Sequence, residues 1–485
     1  MKYQIGIIGA GPIGILVAKL LVNRGLKPII IEAGGWEQES FLTIKNYEFK
    51  SSNKVPENVR LIGGQSTKWL GRVSIFPRDS YENKSKIVGH EWIIPYSQIE
   101  STFREISELL NIKNSHENSN SSIHNCGICA SFISKNSFDF MHDPNVFKKI
   151  LIEMLAKNEV ELFKSTLCSK LVYSEKEVTA ELSKMVDGEK INSSFSFNEI
   201  YICAGGLDST RLILNSFPQL ERTTAAGKFL MDHFDGYIGT LRIKRANYKC
   251  LKYLVLENDR RLKNENFGIG ISGFNSEIKY HLELCPRIRV YFFDRHIKKF
   301  SKIPNWLYFI LFNLERIFLF VPSRVSQYYD RLRNFQVFSI WLRGEEFPYL
   351  NSTLSIKGSR VEAHIPNLIY DHRVSLKTKL KLKHSIRRFK KTLKDNNFGK
   401  IRLFWWLYIP TFLNLGGNNH PMGTLSMGLG DYFPVDSELR LKVAPRIKII
   451  SSAVFPSGSN QNPTSQVMTL AKIATDSSPN YRNQI

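Results

Sequence analysis

The sequence is poor in acidic residues. The 485-residue chain carries 44 Asp and Glu against 67 Lys and Arg, which gives a formal net charge of +23. A positive field favours anionic partners such as nucleic acid, anionic lipid or phosphorylated substrates. The sequence has neither zinc-finger spacing nor an aromatic RNA-binding motif, so we expect no nucleic-acid partner.

Cysteine is also scarce. Among the six cysteines, Cys126 and Cys129 form one C-x-x-C pair, and a second such pair is missing. A single pair is a poor zinc site, and disulfides are rare in reducing compartments. We therefore expect no metal site and no disulfide, and a turn that carries two thiols is the simpler interpretation.

The sequence lacks a long apolar run that is free of charge. The segment 304–322 is intensely apolar, but Asn313, Glu315 and Arg316 lie near its middle, where charges are costly in lipid. We therefore reject a transmembrane span. Lysines precede the run and arginines follow it, so Trp306–Val321 fits either an interfacial anchor on anionic lipid or a helix buried within the protein or in a dimer.

We also expect no leader segment. The first apolar run begins by Lys2 or Tyr3, which leaves no space for a signal peptide. We therefore expect a cytoplasmic protein, with peripheral contact at the inner face of the membrane if Trp306–Val321 is an anchor.

The segment Ser375–Lys394 predicts a basic amphipathic helix. Its apolar positions, expected to face inward, are Leu376, Leu380, Ile386, Phe389 and Leu393. Its basic positions, expected to face solvent, a membrane or a polyanion, are Lys379, Lys383, Arg387, Arg388, Lys390, Lys391 and Lys394.

The N-terminal segment carries the strongest pattern that is present. An apolar run over Lys2–Ile8 is followed by the turn G-A-G-P-I-G, a helical pattern over Ile15–Asn23, and a second apolar run over Leu26–Ile31 that ends at Glu32. The order strand, glycine turn, helix, strand is the context in which G-x-G-x-x-G binds an ADP-containing dinucleotide. The alternative is a glycine turn that merely joins two strands.

Each residue of this motif has a physical task. Gly9 permits the tight turn, Gly11 allows a pyrophosphate to approach the backbone, and Gly14 lets the helix pack close to the strand. The helix N-terminus presents N–H groups to the phosphates. Glu32 can accept hydrogen bonds from a ribose.

One later segment bears on the same site. Glu199–Cys203 reads as a buried strand that runs into Ala204-Gly205-Gly206 and a helix, which predicts a second strand end facing the same cofactor.

From about Tyr237 to Arg295, alternating strands with basic turns predict an antiparallel sheet in a second domain. A chain of this length is expected to form two domains.

The C-terminal segment carries candidate chemistry. His420 lies in a glycine-flanked loop, and Asn462 opens an N-P-T turn before an apolar helix. A neutral imidazole can accept an alcohol proton, and an amide can donate a hydrogen bond to an alkoxide-like oxygen. Alone, such a histidine is more often structural.

Four blocks together resemble the glucose–methanol–choline (GMC) oxidoreductases, which are FAD-dependent alcohol-oxidising enzymes. In family order they are G-A-G-P-I-G with Glu32, G-G-Q-S-T-K-W, I-C-A-G-G-L-D-S-T-R-L-I-L-N-S followed by F-L-M-D-H, and H-P-M-G-T with N-P-T. The second block, with W-I-I-P-Y-S-Q-I, resembles the branch that oxidises sugars and polyols.

The resemblance implies roles for individual residues. His420 matches the catalytic base and Asn462 its partner. The positions that match cofactor-binding residues are Gly9, Gly11, Pro12, Ile13, Gly14, Glu32, Gly63, Gly64, Ser66, Thr67, Cys168, Ala204, Gly205, Ser451, Ser452, Pro463 and Thr464.

The chain departs from the family pattern at two places near the cofactor. Lys68 stands near the position where some sugar oxidases carry a histidine bonded to FAD, so we predict noncovalent FAD. Ser451 and Ser452 replace a Gly or Asp, so the pyrophosphate contact there is expected to differ.

The fold class predicted from the resemblance is α/β. A Rossmann-like FAD-binding domain with a parallel sheet is expected over 1–75, 140–235 and 430–485. An α+β substrate domain built on an antiparallel sheet is expected over 76–139 and 236–429.

The predicted function is hydride transfer from a hydroxyl-bearing carbon of a sugar or sugar-like alcohol to FAD, with His420 as the base. The substrate is expected to be free, lipid-linked or nucleotide-linked, in glycan or polysaccharide synthesis. Oxygen, a quinone and another protein are all open as electron acceptors. Two alternatives are an NAD-dependent dehydrogenase, which would leave the C-terminal blocks unexplained, and a catalytically silent FAD-containing, membrane-associated binding protein.

Overall fold

The structure is a computed structural model of the whole chain. It describes residues 2–37, 60–67, 71–73, 75–82, 85–112, 145–186, 189–244, 269–272, 280–285, 335–357, 366–395, 399–411 and 419–479, with the short pieces 47–49 and 139–140 and a few single residues. Lys68, Cys126, Cys129 and, apart from Ile310, the apolar run Trp306–Val321 lie outside the described residues.

The described strands, in chain order, are β1 (Lys2–Ile8), β2 (Ile29–Ile31), β3 (Tyr47–Phe49), β4 (Arg72–Val73), β5 (Asp139–Phe140), β6 (Glu161–Phe163), β7 (Thr166–Tyr173), β8 (Val178–Val186), β9 (Glu189–Ile202), β10 (Phe234–Lys244), β11 (Ile269–Ser272), β12 (Tyr280–Cys285), β13 (Phe335–Gly344), β14 (Thr353–Lys357), β15 (Asn367–Asp371), β16 (Gly399–Leu403), β17 (Arg440–Leu441) and β18 (Ala444–Ile449). The described α-helices are α1 (Pro12–Asn23), α2 (Tyr96–Leu109), α3 (Val146–Ala156), α4 (Gly205–Ser216), α5 (Leu220–Thr223), α6 (Leu376–Asp395) and α7 (Thr464–Asp476).

An eight-stranded, mostly parallel sheet forms the larger core. Its strand order is β17-β18-β9-β1-β2-β6, and β7 and β8 extend it from β9. β1 pairs in parallel with both β2 and β9, and β9 pairs in parallel with β18. Because these strands are parallel, their carboxyl ends lie at one edge of the sheet. β1 comes from the head of the chain, β9 from its middle and β18 from its tail, so all three parts of the chain meet at this edge.

The sequence of β1 explains its central place. Ile5, Ile7 and Ile8 are all buried, as expected for a strand covered on both faces in a parallel sheet. Ile15 and Leu16 of α1 are fully buried in the same core, which holds the helix against the sheet.

A five-stranded antiparallel sheet carries the second core. Its strand order is β11-β12-β13-β10-β16, and α6 packs against it through Leu382, Ile386, Phe389 and Leu393. Smaller sheets join β14, β15 and β3, and β4 with β5.

The prediction for α6 was wrong at three positions. Leu376 and Leu380 are 52% and 44% exposed, whereas Lys383 is only 2% exposed. The ammonium of Lys383 donates to the carbonyl oxygens of Ile409 and Pro410, so it is hydrogen-bonded to a backbone segment beside the helix instead of facing solvent.

The predicted fold class is confirmed, because a mostly parallel sheet with helices stands beside a separate antiparallel sheet. The domain boundaries remain a prediction. Within the described residues, no helix has the length and apolar character needed to cross a membrane.

Candidate active site

The head and the tail of the chain line one cavity of about 530 Å³. It opens at the carboxyl ends of β1 and β9, where Ile8 and Cys203 lie in its wall. Of the residues predicted from the sequence, those in the lining are Gly9, Gly11, Pro12, Ile13, Glu32, Gly64, Ser66, Cys168, Ala204, Gly205, His420, Ser451, Ser452, Asn462, Pro463 and Thr464.

Gly14, Gly63 and Thr67 are not in the lining but support it from behind. A Cβ at Gly14 would collide with the carbonyl oxygen of Gly9, so this glycine sets how closely α1 approaches the turn. The amide of Gly63, at φ +92°, donates to the carbonyl of Ala10 at 2.8 Å. Thr67 Oγ1 donates to the carbonyl of Gly64 at 2.8 Å and fixes the same loop.

Three helices begin at the cavity wall. They are α1 at Pro12, α4 at Gly205 and α7 at Thr464, and these three residues all line the cavity. In the part of the chain that the structure describes, no side chain caps the N-terminus of any of them. Their N–H groups and dipoles therefore favour a negatively charged ligand in the cavity.

The open backbone of two glycines leaves space for that ligand. A Cβ at Gly11 or at Gly205 would meet no protein atom within 4 Å, although both residues lie in the cavity wall. A pyrophosphate could approach the backbone closely at both places.

Glu32 lies at the end of β2, is 7% exposed and lines the cavity. Its carboxylate accepts hydrogen bonds from the amides of Ala10 and Gly34, each at 2.7 Å. Burial raises the pKa of Glu32, and the two backbone N–H groups lower it less, so the net direction is upward. Each carboxylate oxygen has a second lone pair, which suits it to accept from ribose hydroxyls.

Sequence reasoning missed a charged cluster beside Glu32. Arg60 Nη2 lies 3.3 Å from Asp208 Oδ2, and Arg211 Nη2 lies 3.2 Å from Asp208 Oδ1. All three residues line the cavity, and Arg211 is 2% exposed. Two guanidinium groups around one carboxylate add positive charge to the end of the cavity that holds Glu32.

Ser451 and Ser452 lie where β18 ends. Ser452 Oγ donates to the carbonyl of Pro421 at 2.7 Å, which ties this segment to the residue after His420.

Two cysteines, Cys168 and Cys203, also line the cavity. Burial raises the pKa of Cys168 to about 12 and also raises the pKa of Cys203, so both thiols are held protonated.

At the other end of the cavity, Asp232 holds the backbone of His420. Asp232 Oδ1 accepts from the amide of His420 at 3.2 Å and from the amide of His233 at 2.6 Å. Asp232 is 1% exposed, and Gly417 packs directly against its carboxylate.

The ring of His233 stands edge-to-face against the ring of His420. The centroids are 5.1 Å apart and the planes make an angle of 81°. Burial lowers the pKa of His233 well below its ordinary range, and the charges of His420 and Arg343 lower it further. His233 therefore stays neutral, and it does not oppose a proton on His420.

Asn462 is bound by Arg343, which lies near the end of β13. Arg343 Nη1 donates to Asn462 Oδ1 at 3.0 Å. Arg343 Nη2 lies 3.9 Å from Asp235 Oδ2, and these two residues face each other across β10 and β13.

A buried pair continues from Asp232. The amide of Asp232 donates to Glu346 Oε2 at 3.0 Å, and His372 Nε2 lies 2.7 Å from the same oxygen. Burial lowers the pKa of His372, but Glu346, Asp232 and Asp371 outweigh it, so the net direction is upward. The F-L-M-D-H block was the one sequence signal for Asp232 and His233, and none marked Arg343.

A glycine turn at the carboxyl ends of parallel strands is typical of sites that bind a dinucleotide. Comparison with known proteins agrees. Residues 386–471 match the family model of the GMC oxidoreductases. Pyridoxine 4-oxidase from Mesorbium loti has a similar fold, with a TM-score of 0.63, 13% sequence identity and 98% of each chain covered. No curated protein matches the chain.

The C-terminal segment and the fold are therefore similar to those of the GMC oxidoreductases, which bind FAD and act on CH–OH groups. The cavity fits that cofactor. Three uncapped helix N-termini and the open backbone at Gly11 and Gly205 suit a pyrophosphate, and Glu32 suits a ribose.

Proposed function

We propose that this protein oxidises a hydroxyl group of a sugar or sugar-like substrate, with His420 as general base and Asn462 as hydrogen-bond donor to the substrate oxygen. The observation that carries the proposal is that both residues, from the tail of the chain, line the same cavity as Gly9, Gly11 and Glu32 from its head.

The proposed reaction divides the work between protein and cofactor. FAD, when bound, supplies the acceptor for the hydride. His420 takes the hydroxyl proton, and the carbon–hydrogen bond breaks as the carbon–oxygen double bond forms. Asn462 stabilises the negative charge that develops on the substrate oxygen. The neutral state of His233 leaves His420 as the group that gains the proton.

The choice of a sugar rests on the sequence. The blocks G-G-Q-S-T-K-W and W-I-I-P-Y-S-Q-I resemble the branch that acts on sugars and polyols. The net charge of +23 favours a substrate that carries phosphate, such as a nucleotide sugar or a sugar on a lipid carrier in glycan synthesis.

The test is anaerobic bleaching of the flavin absorbance. The purified, FAD-loaded protein would be mixed with free sugars, nucleotide sugars, polyols and, because of the structural neighbour, pyridoxine. We expect bleaching with at least one sugar or nucleotide sugar. Bleaching by pyridoxine alone would contradict the sugar assignment, and no bleaching with any member would favour a silent FAD-containing protein.

A second measurement tests how FAD is attached. Denaturing the loaded protein should release all of its flavin, as a noncovalent cofactor requires.

We further propose peripheral contact with an anionic membrane on the cytoplasmic side. The described part of the chain offers a basic–apolar face made of the exposed residues Leu376, Leu380, Tyr408 and Ile409, with Lys379 and Lys390 beside them. Apolar side chains among lysines suit an interface with anionic lipid.

Flotation with vesicles tests the membrane contact. We expect binding to vesicles that contain an anionic phospholipid, none to neutral vesicles, and weaker binding for the double substitution Leu376→Ser and Leu380→Ser. A failure to bind anionic vesicles would overturn this contact and leave the proposed chemistry untouched.

A further inference from the structure

The amide of Asn462 has only one orientation that fits its surroundings. A guanidinium group has five N–H donors and no acceptor, so the atom of Asn462 that faces Arg343 must be the carbonyl oxygen. The 3.0 Å contact between Arg343 Nη1 and Asn462 Oδ1 satisfies this requirement. The NH₂ group of Asn462 is then the end that remains for the cavity.

Arg343 is itself fixed. Its side chain is 13% exposed, and the nearly buried carboxylate of Asp235 lies 3.9 Å from its Nη2. The two residues are register partners on neighbouring strands, so the backbone sets their spacing. Arg343 is therefore held by the antiparallel sheet, whereas Asn462 belongs to the turn before α7.

We propose that Arg343 is the positioning residue that makes Asn462 a hydrogen-bond donor toward the substrate oxygen. The inference rests on the proposed role of Asn462. Without Arg343, the amide can rotate by half a turn and present its oxygen to the developing alkoxide, which would repel it. With Arg343 in place, the guanidinium charge behind the amide also polarises the N–H bonds in the direction that favours negative charge on the substrate.

A double-mutant cycle tests this assignment. The variants are Arg343→Ala, Asn462→Ala and the double variant, and the readout is the anaerobic flavin reduction rate per bound FAD with the best substrate of the panel. We expect Asn462→Ala to lower the rate on the order of 10²-fold, as for loss of one oxyanion donor. Arg343→Ala should lower it on the order of 10-fold to 10²-fold, and the double variant should be no slower than Asn462→Ala alone.

Two further measurements separate positioning from general damage. Guanidinium chloride at millimolar concentration should restore part of the rate of Arg343→Ala and none of the rate of Asn462→Ala. The binding of acetate, used as an oxyanion probe and followed by the flavin spectrum, should weaken about tenfold in Arg343→Ala, and Arg343→Lys should keep more affinity because it keeps the charge.

The matched control is Arg242→Lys. Arg242 lies on β10 in the same sheet and stacks on Phe335, 4.0 Å from its centroid, so the substitution tests the sheet without touching Asn462. We expect wild-type rates for it.

The outcomes distinguish the two proposals. If Asn462→Ala reduces flavin at the wild-type rate, the proposed role of Asn462 fails. If Asn462→Ala is slow but Arg343→Ala and Arg343→Lys are fast, or if the effects of Arg343→Ala and Asn462→Ala multiply in the double variant, the role assigned to Arg343 is wrong. If Arg343→Ala does not retain FAD, Arg343→Lys takes its place in the cycle.

Discussion

The cavity has a proposed cofactor end, around Gly9–Gly14 and Glu32, and a proposed catalytic end, around His420 and Asn462, and the two are built by different means. At the cofactor end most of the groups that face the cavity are backbone groups. They belong to the glycine turn of Gly9–Gly14, which lies within one strand–helix–strand unit, and to the N-termini of α4 and α7; the side chains there are Glu32 and the charged cluster beside it. The catalytic end uses side chains held by other side chains, as Arg343 holds Asn462 across 119 residues of sequence.

This difference predicts how each end responds to substitution. A site made of backbone groups needs free space for its ligand, so adding a methyl group there should weaken FAD binding more than changing a charge. A network of side chains depends on hydrogen bonds and charge, so a change of one functional group should remove the chemistry and leave the cofactor bound.

The largest effect is expected at the catalytic end, from His420→Ala. Loss of a general base typically lowers a rate by 10²–10⁴-fold, and we expect a loss of that order in anaerobic flavin reduction. Because the substitution leaves the glycine turn and the helix N-termini unchanged, the FAD content of the variant should equal that of the wild type. An unchanged reduction rate would remove His420 from the reaction, and a variant that loses its FAD would show that the two ends are not separable.

At the cofactor end, two glycines in one motif should fail in different ways. In Gly14→Ala the new methyl group collides with the carbonyl of Gly9, so we expect a loss of about 1–3 kcal/mol in the free energy of unfolding of the apoprotein. In Gly11→Ala the methyl group meets no protein atom within 4 Å, and φ at Gly11 is −73°, which any residue can adopt. The apoprotein should therefore be as stable as the wild type.

FAD affinity separates these glycines further. The methyl group of Gly11→Ala would occupy the surface that a pyrophosphate approaches, so we expect the dissociation constant for FAD to rise by about tenfold or more, which is about 1.4 kcal/mol. Thermal unfolding of the apoproteins and titration of flavin fluorescence give the two quantities. If Gly11→Ala binds FAD as the wild type does, the pyrophosphate does not approach at that position.

The two ends also differ in how much of them the sequence predicts. The strand, turn, helix and strand of residues 2–32 follow from local patterns, and the structure places them there, with the helix beginning at Pro12 rather than Ile15. Its glycines and Glu32 could be assigned because a single short segment carries all of their physical requirements.

The supports of the catalytic end left no such pattern. Arg343 is one basic residue in a strand with an ordinary sequence, and the amide of Asp232 reaches Glu346 across 114 residues. These contacts arise only when the two sheets and the tail are packed together. The errors in α6 have the same origin, because Lys383 is buried by carbonyl groups from residues 409–410 that helical periodicity does not include.

The smallest expected effect is on the pH dependence of stability, and it comes from the buried pair of His372 and Glu346 beside Asp232. The pKa of His372 is raised above its ordinary value of 6.5, so the folded protein binds this proton more tightly than the unfolded chain does. The stability it contributes is therefore complete below pH 6.5 and is lost as pH rises through the folded pKa. We expect the Tm of the wild type to fall by a few degrees above pH 6.5, and His372→Gln, which keeps a donor for Glu346 but cannot gain a charge, to flatten that fall.

His90 is the matched control, because burial lowers its pKa to about 4 and its contribution to stability changes between about pH 4 and pH 6.5 with the opposite sign. His90→Gln should alter the slope only in that lower range, and an unchanged slope above pH 6.5 in His372→Gln would show that the Glu346 pair does not hold the proton.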